Sequence, residues 1–304
     1  MNLAESLSPS SAGPTLRHLA LGFFDGLHLG HQRVILGGTT PHIPSATAVL
    51  TFREHPLSIL HPEKHPALIT GLTHKLRVLE RWNIGLTIAL PFNSTRSQQE
   101  PAAFLTELSS AFPSLQTLSV GPNWRFGKNR SGDVEMLAAW CTKQSITLDN
   151  PTPVLYERER ISSSRIRTAI QSGKLSDASA MLGRPFTILG KVKTGEGRGH
   201  QIGFPTANLA TEDECLPPDG VYAGRAILPD GTPQLAAINL GTCPTFGGKN
   251  RNIEAHLPKF SGQLVGQEID LEFHRYLRPE KKFSDARALS DQIQKDVQAV
   301  LTPS

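Results

Sequence analysis

The stretch LRHLALGFFDGLHLGHQ, residues 16–32, decides the fold of the first half of the chain. Its apolar part, residues 16–24, predicts a buried strand, and a helix is predicted from about Gly30. Gly22 and Gly26 lie in the junction between the two elements. A glycine-rich turn that leads from a strand into a helix N-terminus is typical of α/β sheets that bind phosphate groups.

Strand-like and helix-like segments alternate from this stretch to about residue 182. Further strands are predicted at 46–52, 84–92 and 117–121, and helices at 72–82, 101–112 and 133–144. This alternation predicts right-handed βαβ units and a parallel sheet. The Ser/Pro-rich residues 1–15 that precede it are expected to be frayed.

The pattern changes near residue 183. Short strand candidates separated by Gly/Pro turns occupy 182–195, 220–228, 234–241, 252–257 and 268–277. Such spacing is typical of an antiparallel barrel or sandwich. A helix at 284–301, with Ser284 as its N-cap, is predicted to close the chain. The sequence therefore predicts an α/β domain over 1–182 and an antiparallel β-barrel with a C-terminal helix over 183–304.

The composition excludes several classes of protein. Hydrophobic residues make up 38% of the 304, which excludes a disordered or collagen-like chain. The net charge of +4 is small and dispersed, so no nucleic-acid partner is expected. Cys141, Cys215 and Cys243 form no CxxC pair, so neither a disulfide framework nor a thiolate zinc site is indicated. Without a signal peptide or an apolar run of membrane-spanning length, a soluble cytoplasmic protein with no membrane partner is expected.

His28 and His31 form an HxGH pattern at the predicted helix start, where they could donate hydrogen bonds to phosphate oxygens. The pattern alone is more often a turn with two exposed histidines, and no nearby carboxylate or cysteine cluster completes a metal site. The segments 51–56, 121–133 and 161–167 also follow predicted strands or start helices. Because such ends gather at one edge of a parallel sheet, together they favour a binding site there.

The second half carries a glycine-rich segment, GEGRGHQIGFPTANL, at 195–209. No Walker A motif is present, and GGKN at 247–250 lacks the final Ser or Thr. Taken alone, the glycine-rich loop and the apolar turn after it are as typical of a flexible turn as of a phosphate cradle. Glu254 is expected on the strand face opposite Ile253 and Ala255, where it could point into a pocket or be merely solvated.

In their order along the chain, these segments resemble the bacterial bifunctional riboflavin kinase/FMN adenylyltransferases, also called FAD synthetases. The resemblance runs from about residue 17 to about residue 297 and rests on GFFDGLHLGH, TFREHP, GPNWRFGKNRSGD, ISSSRIR, LGRPF, GRGHQIGFPTANL and LRPEKKF. It implies a Rossmann-like nucleotidyltransferase domain that adenylylates FMN to FAD with release of pyrophosphate. It also implies a barrel domain that phosphorylates riboflavin to FMN. ATP is the implied co-substrate of both reactions.

The resemblance implies roles for residues of the first domain. His28 and His31 would stabilise the transferring phosphate, and Arg167 the pyrophosphate. Further ATP or phosphate contacts are implied for Gly22, Phe24, Asp25, Gly30, Ser163 and Ser164, and flavin contacts for Asn123, Trp124, Phe126, His55 and Pro56. Two alternatives stay open: the aromatic residues of the 121–133 segment could be core residues, and Asp25 could lie near the metal or brace the turn.

In the barrel, the resemblance places the Thr206 hydroxyl and the Asn208 amide oxygen on a Mg²⁺ ion that bridges the ATP phosphates. Such oxygen ligands suit Mg²⁺. Gly197 and Gly199 would contact ATP, and Glu254 would be the catalytic acid/base for the hydroxyl of riboflavin.

The chain departs from the family pattern beside Glu254. Relatives typically have HLLDF followed by a DLYG-like run, whereas this chain has HLPKFSGQLVG at 256–266. Pro258 removes a hydrogen-bond donor from the expected strand, and Lys259 and Val265 replace an acidic and an aromatic residue. A weakened or lost kinase, or a non-catalytic flavin-binding regulator, is therefore kept as an alternative. A cytidylyltransferase would suit the first domain alone, and homo-oligomerisation is left open.

Overall fold

The computed structural model describes residues 2–7, 16–37, 43–194, 204–212, 214–242 and 251–302. The chain forms two compact units, Met1–Ser163 and Ser164–Ser304.

The first unit is built on a six-stranded sheet in which the strands lie in the order β1-β4-β3-β2-β5-β6. Its strands are β1 (Asn2–Ala4), β2 (His18–Leu21), β3 (Thr47–Phe52), β4 (Leu86–Leu90), β5 (Thr117–Val120) and β6 (Thr147–Asp149). Every pairing in this sheet is parallel. The central strands are buried, which explains why their sequences are nearly continuous apolar runs.

Helices cover both faces of this sheet. They are α1 (Leu29–Leu36), α2 (Pro56–Leu60), α3 (Leu72–Arg81), α4 (Ser94–Ser97), α5 (Pro101–Ala111) and α6 (Val134–Lys143), and a hairpin of β7 (Leu155–Tyr156) and β8 (Glu159–Arg160) follows them. Ala20 of β2 packs in one core cluster with residues of α1 and α3. Its neighbours Leu19 and Leu21 pack in another cluster with residues of α5 and α6. The predicted α/β fold of this unit is confirmed.

The sheet topology determines where a ligand can bind. β2 lies between β3 and β5, so the strand order reverses at its carboxyl end. Ligands of open α/β sheets bind at such a point, beyond the carboxyl ends of the strands. The segments that follow β2, β3 and β5 begin at Gly22, Arg53 and Gly121, and they all leave the same edge of the sheet.

Most predicted elements of this unit are confirmed, but two strands of the sheet and the hairpin β7–β8 were missed, and the first predicted strand is shorter than expected. Asn2–Ala4, expected to be frayed, pairs with β4, and β6 was not predicted. The strand predicted over 16–24 ends at Leu21, because Phe24 and Leu27 take φ values of +55° and +45° that no strand can accommodate.

The second unit contains a closed antiparallel barrel in the order β10-β13-β12-β11-β14-β9. Two helices, α7 (Ser163–Gln171, whose first residue belongs to the first unit) and α8 (Leu175–Leu182), precede it. Its strands are β9 (Phe186–Lys193), β10 (Thr206–Thr211), β11 (Gly220–Ile227), β12 (Pro233–Thr242), β13 (Arg251–His256) and β14 (Glu268–Arg278), and α9 (Ala286–Leu301) follows. Of the helices that the structure describes, none is long and apolar enough to cross a membrane.

The barrel and the C-terminal helix confirm the predicted fold of the second half, with three local corrections. β10 was predicted as an apolar turn. The N-cap of α9 is Asp285 and not Ser284, since Asp285 Oδ1 accepts a hydrogen bond from the Ala288 N–H at 2.8 Å. β13 ends at His256, so Pro258 lies in a turn beyond the strand and removes no donor from it.

The described cysteines, Cys141 and Cys215, are buried and carry free thiols. Burial raises the pKa of the Cys141 thiol to about 11, because the thiolate would lose its hydration in the core. This thiol is therefore neutral and unreactive at physiological pH. Cys243 lies outside the described residues.

Candidate active sites

The segment after β2 folds into a compact loop of unusual backbone geometry. The Gly22 N–H donates to the Leu50 carbonyl at 3.1 Å, and the chain then turns through left-handed conformations at Phe24, Gly26 and Leu27. A Cβ atom at Gly22 would lie 2.7 Å from Cε1 of Phe24, so only glycine fits there. The loop is thereby held close against the end of the sheet, where residues 24–28 are buried.

Asp25 holds this loop in place. Its side chain is only 3% exposed, and Oδ1 accepts hydrogen bonds from the N–H groups of Ile69 at 2.9 Å and Thr70 at 3.1 Å. The Thr70 hydroxyl oxygen accepts a hydrogen bond from the Gly26 N–H, and the Ser163 hydroxyl donates to the Asp25 carbonyl, both at 3.0 Å. Of the two alternatives for Asp25, these contacts support bracing of the turn.

His28 and His31 lie together at the start of α1. His28 is the N-cap residue, and its Nδ1 accepts a hydrogen bond from the His31 N–H at 3.2 Å. The two imidazole rings stack at 3.6 Å between centroids, and the Phe24 ring meets His31 edge-on. Because Nδ1 accepts, a neutral His28 carries its proton on Nε2, which is then a donor. Two imidazoles at a helix N-terminus form a site suited to an anion.

Lys75 was not predicted as part of this site. It is 1% exposed, and its Nζ donates to the Phe23 carbonyl at 2.6 Å and to the Thr51 hydroxyl oxygen at 3.2 Å. Nζ also lies 3.9 Å from the centroid of the Phe23 ring. The sequence contained a signal: Lys75 precedes the buried Val78 and Leu79 by three and four residues on α3, which places a cation on an apolar helix face.

His55 and Pro56 begin α2 directly beyond β3. His55 is the N-cap residue, and its Nδ1 accepts a hydrogen bond from the Leu57 N–H at 3.1 Å, while Pro56 occupies the first helical position. The His55 ring packs edge-on against the rings of Phe23 at 4.7 Å and His65 at 5.3 Å. Phe23 thus connects the predicted flavin residue His55 to the loop that precedes the histidine pair.

The segment after β5 closes into a hairpin-like loop. Phe126 and Gly132 exchange two backbone hydrogen bonds of 3.0 Å, and the Phe126 ring is buried in the core. Trp124 is half-buried and stacks on Phe126 at 4.6 Å between centroids. The Asn123 side chain is exposed, and its oxygen accepts a hydrogen bond from Arg160 Nη1 at 2.7 Å once its amide is oriented to fit its neighbours. Phe126 is therefore a core residue, whereas Trp124 packs against the core and is only half-buried.

The predicted pyrophosphate residues lie on α7. The helix begins at Ser163, as the ISSSRIR segment predicted. Ser164 and Arg167 follow on the same helix in the second unit, where Ser164 is exposed and Arg167 is half-buried.

In the barrel, the strand register places Asn208 and Glu254 side by side. Glu254 on β13 is the direct partner of Asn208 on β10 and of Asn239 on β12. Residues directly opposite each other on antiparallel strands share one face of the sheet. Ile253 and Ala255 are fully buried in the barrel core while Glu254 is half-buried, which matches the alternation expected from the sequence.

Two further residues complete this face. Thr206 lies two residues before Asn208 on β10, so both side chains stand on the same face, and Thr206 is the partner of His256. On β13, the Asn252 amide donates a hydrogen bond from Nδ2 to Glu254 Oε1 at 2.7 Å. Asn252 was not predicted from the sequence, although its position two residues before Glu254 places it on the same face.

The oxygen groups on this face suit a magnesium ion that arrives with a nucleotide. The threonine hydroxyl and the asparagine amide oxygen are hard ligands of the kind that Mg²⁺ prefers. Among the described residues, no group of three or more His, Cys, Asp or Glu side chains could hold a metal ion. Mg²⁺ commonly takes only one or two protein ligands and completes its shell with phosphates and water, so the residues present fit that ion.

Several residues singled out from the sequence lie outside the described residues or away from this face of the barrel. Gly197 and Gly199 are outside the described residues. Lys259 lies with Pro258 in the turn after β13, and Val265 is 57% exposed. These departures therefore lie beyond the strand residues that carry the candidate groups.

Comparisons with known proteins agree with this two-part organisation. A family model described as FAD synthetase matches residues 13–165, and one described as riboflavin kinase matches residues 182–302. A Haemophilus influenzae protein is 33% identical over 92% of each chain, and a Bacillus subtilis protein is 34% identical over 93% of this chain and 91% of its own. Both are described as bifunctional riboflavin kinase/FMN adenylyltransferases.

A solved structure, described as a macrolide-efflux protein from Streptococcus pneumoniae, is similar to this chain over its whole length. The TM-score is 0.84 at 26% identity, and the match covers 100% of both chains.

Proposed function

Because this chain belongs to the bifunctional riboflavin kinase/FMN adenylyltransferase family, it phosphorylates riboflavin to FMN and adenylylates FMN to FAD, and we propose which residues perform each reaction. The matched regions assign adenylylation to the α/β region and phosphorylation to the barrel. ATP is the second substrate of both reactions. The alternatives of a lone adenylyltransferase and of a non-catalytic flavin binder are not retained.

In the adenylylation, an oxygen of the FMN phosphate attacks the α-phosphorus of ATP and pyrophosphate leaves. Such a transfer needs positioned donors and charge stabilisation rather than a protein nucleophile. His28 and His31 stabilise the charge on the transferring phosphate, and the N–H groups at the start of α1 add to their effect. The stacked imidazole pair at that helix N-terminus is the observation that supports this assignment. Lys75 holds the preceding loop in place, because its Nζ donates a hydrogen bond to the Phe23 carbonyl.

In this proposal the flavin of FMN contacts the half-buried Trp124, whose indole stacks on the buried Phe126 ring. Asn123, His55 and Pro56 provide the remaining flavin contacts that the family resemblance implies. For the same reason we assign the pyrophosphate to Ser163, Ser164 and Arg167, and further ATP contacts to the backbone at Gly22, Phe24 and Gly30.

In the kinase reaction, Glu254 accepts the proton of the primary hydroxyl of riboflavin while that oxygen attacks the γ-phosphorus of ATP and ADP leaves. The supporting observation is the register of β10 and β13, which makes Asn208 the direct neighbour of Glu254. When bound by Thr206 and Asn208, Mg²⁺ would neutralise phosphate charge. The pairing of Asn208 with Glu254 supports the assignment of the cation site and the proton acceptor to one face of the barrel.

An Asn208→Ala variant tests the assignment of the cation site. We expect the apparent Mg²⁺ affinity of the kinase reaction to fall by about 10- to 100-fold, since one oxygen ligand is lost. The conversion of supplied FMN to FAD should keep its rate. The measurement is the initial rate of FMN formation as a function of the MgCl₂ concentration.

A Gln234→Ala variant is the matched control, because it removes a half-buried amide from β12 at a position away from Glu254. Its Mg²⁺ dependence should equal that of the parent chain. An unchanged Mg²⁺ dependence in Asn208→Ala would remove Asn208 from the cation site.

We also propose a cytoplasmic location, because both reactions consume ATP. An experiment that fractionates cells and follows the two activities would test it.

A further inference from the structure

The hydrogen bond between Asn252 and Glu254 carries an inference beyond the two reactions. The residues lie two apart on β13, so both side chains stand on the outer face of the barrel. Asn252 Nδ2 lies 2.7 Å from Glu254 Oε1, the short distance typical of a donor bound to a charged acceptor. We propose that Asn252 is a positioning residue of the kinase reaction, which fixes the Glu254 carboxylate for proton acceptance. This inference rests on the proposed role of Glu254.

The backbone alone leaves the glutamate head group poorly defined. β13 is held between β10 and β12, which fixes the Cα of Glu254 opposite Asn208 and Asn239. Three rotatable bonds still separate that Cα from the carboxylate oxygens. A misplacement of a reacting group by about 1 Å can cost about 10²-fold in rate. The Asn252 amide restricts this freedom by donating a hydrogen bond to Oε1.

The Asn252 side chain faces, on the neighbouring strand, a glycine that is covered by a carboxylate. Its direct partner on β12 is Gly241, which has no side chain. The carboxylate of Glu280 lies over Gly241, in the place that a Cβ atom would need. A larger residue at position 241 would therefore displace Glu280.

The hydrogen bond between Asn252 and Glu254 contributes little to the stability of the fold. β13 is anchored by its ladders to β10 and β12 and by the buried side chains of Ile253 and Ala255. The Asn252–Glu254 bond joins two residues of one strand and links no separate elements. Its removal should therefore affect the kinase reaction more than stability.

Two variants of the full chain test the inference. Asn252→Asp keeps the shape of the side chain but replaces the donor with an acceptor, and Asn252→Ala removes the donor without adding charge. We expect the kcat of FMN formation to fall about 10- to 100-fold in both, with little change in KM for riboflavin or ATP. Adenylylation of supplied FMN and the thermal midpoint should stay at parental values. Asn252→Gln, which keeps an amide donor, should recover part of the lost kcat.

The results separate this inference from the assignment on which it rests. If Glu254→Gln abolishes FMN formation while both Asn252 variants keep the parental kcat, Asn252 does not position the carboxylate. If both variants also lose adenylylation and thermal stability, the bond is structural and the inference is overturned. If Glu254→Gln itself keeps the parental kcat, the proposed role of Glu254 fails.

Discussion

A His28→Ala variant is expected to convert supplied FMN to FAD about 10²- to 10³-fold more slowly than the parent chain, a loss typical of removing one positioned donor. The imidazole would otherwise stabilise the charge on the transferring phosphate. FMN formation from riboflavin should continue at the parental rate, because the kinase residues lie in the barrel. Initial rates of both reactions, measured separately with riboflavin or FMN as the flavin substrate, check this expectation.

His28 also caps α1, so the alanine variant loses a structural role as well. The loss of such a cap costs about 1 kcal/mol. A His28→Asn variant separates the two roles, since asparagine is a favoured N-cap but lacks the imidazole. It should keep the thermal midpoint and still lose FAD formation, while His274→Ala, which removes an exposed imidazole of the barrel, should keep both activities. If His28→Asn forms FAD at the parental rate, His28 acts only as the N-cap of α1 and not in the reaction.

A Glu254→Gln variant is expected to lose FMN formation by about 10²- to 10⁴-fold, the contribution typical of a general base. Glutamine keeps the size of the side chain but cannot take the proton of the riboflavin hydroxyl. FAD formation from supplied FMN should be unaffected. The measurement is the rate of riboflavin phosphorylation at saturating ATP and MgCl₂.

The matched control is Glu272→Gln, which neutralises another strand carboxylate of the same barrel. Glu272 lies on β14 opposite Thr187 and Arg225, and its carboxylate contacts His274 at 3.2 Å. This variant should phosphorylate riboflavin at the parental rate. Equal losses in the two glutamine variants would show that the charge of the barrel, and not a proton acceptor at position 254, supports the reaction.

The sequence predicted the buried strands of the sheet because parallel strands covered on both faces are nearly continuous apolar runs. It could not predict β1, whose three residues pair only at the edge of the sheet and form no such run. β10 escaped prediction for another reason. Its residues TANLAT carry little strand propensity, and their extended conformation comes from pairing with β9 and β13.

The sites were predictable in part for similar physical reasons. The positions of His28 and Glu254 follow from local periodicity, at a helix start and on one face of a strand. The turn-bracing hydrogen bonds of Asp25 and the contact of Lys75 with the Phe23 carbonyl depend on residues more than 40 positions apart, which no local pattern encodes. In the barrel, too, no local pattern predicts that Asn208 lies beside Glu254, because the pairing of β10 with β13 brings them together.

The departures from the family pattern at 256–266 begin where β13 ends, at His256. β13 ends at His256, so Pro258 and Lys259 turn the chain after the strand has passed Glu254. The exposed Val265 lies further along, beside Gly266, which has a φ of +84°. Thr206, Asn208 and Glu254 stand on paired strands and not in the altered loop.

The most direct test of two separate active sites in one chain is a time course with the purified protein. Riboflavin, ATP and MgCl₂ are incubated with it, and the flavins are separated chromatographically at intervals. We expect FMN to appear first and FAD to follow, and FAD to form without a lag when FMN replaces riboflavin. FAD that arises only from supplied FMN would contradict the assignment of a working kinase to the barrel, and FMN that is never converted to FAD would contradict the adenylylation site at His28 and His31.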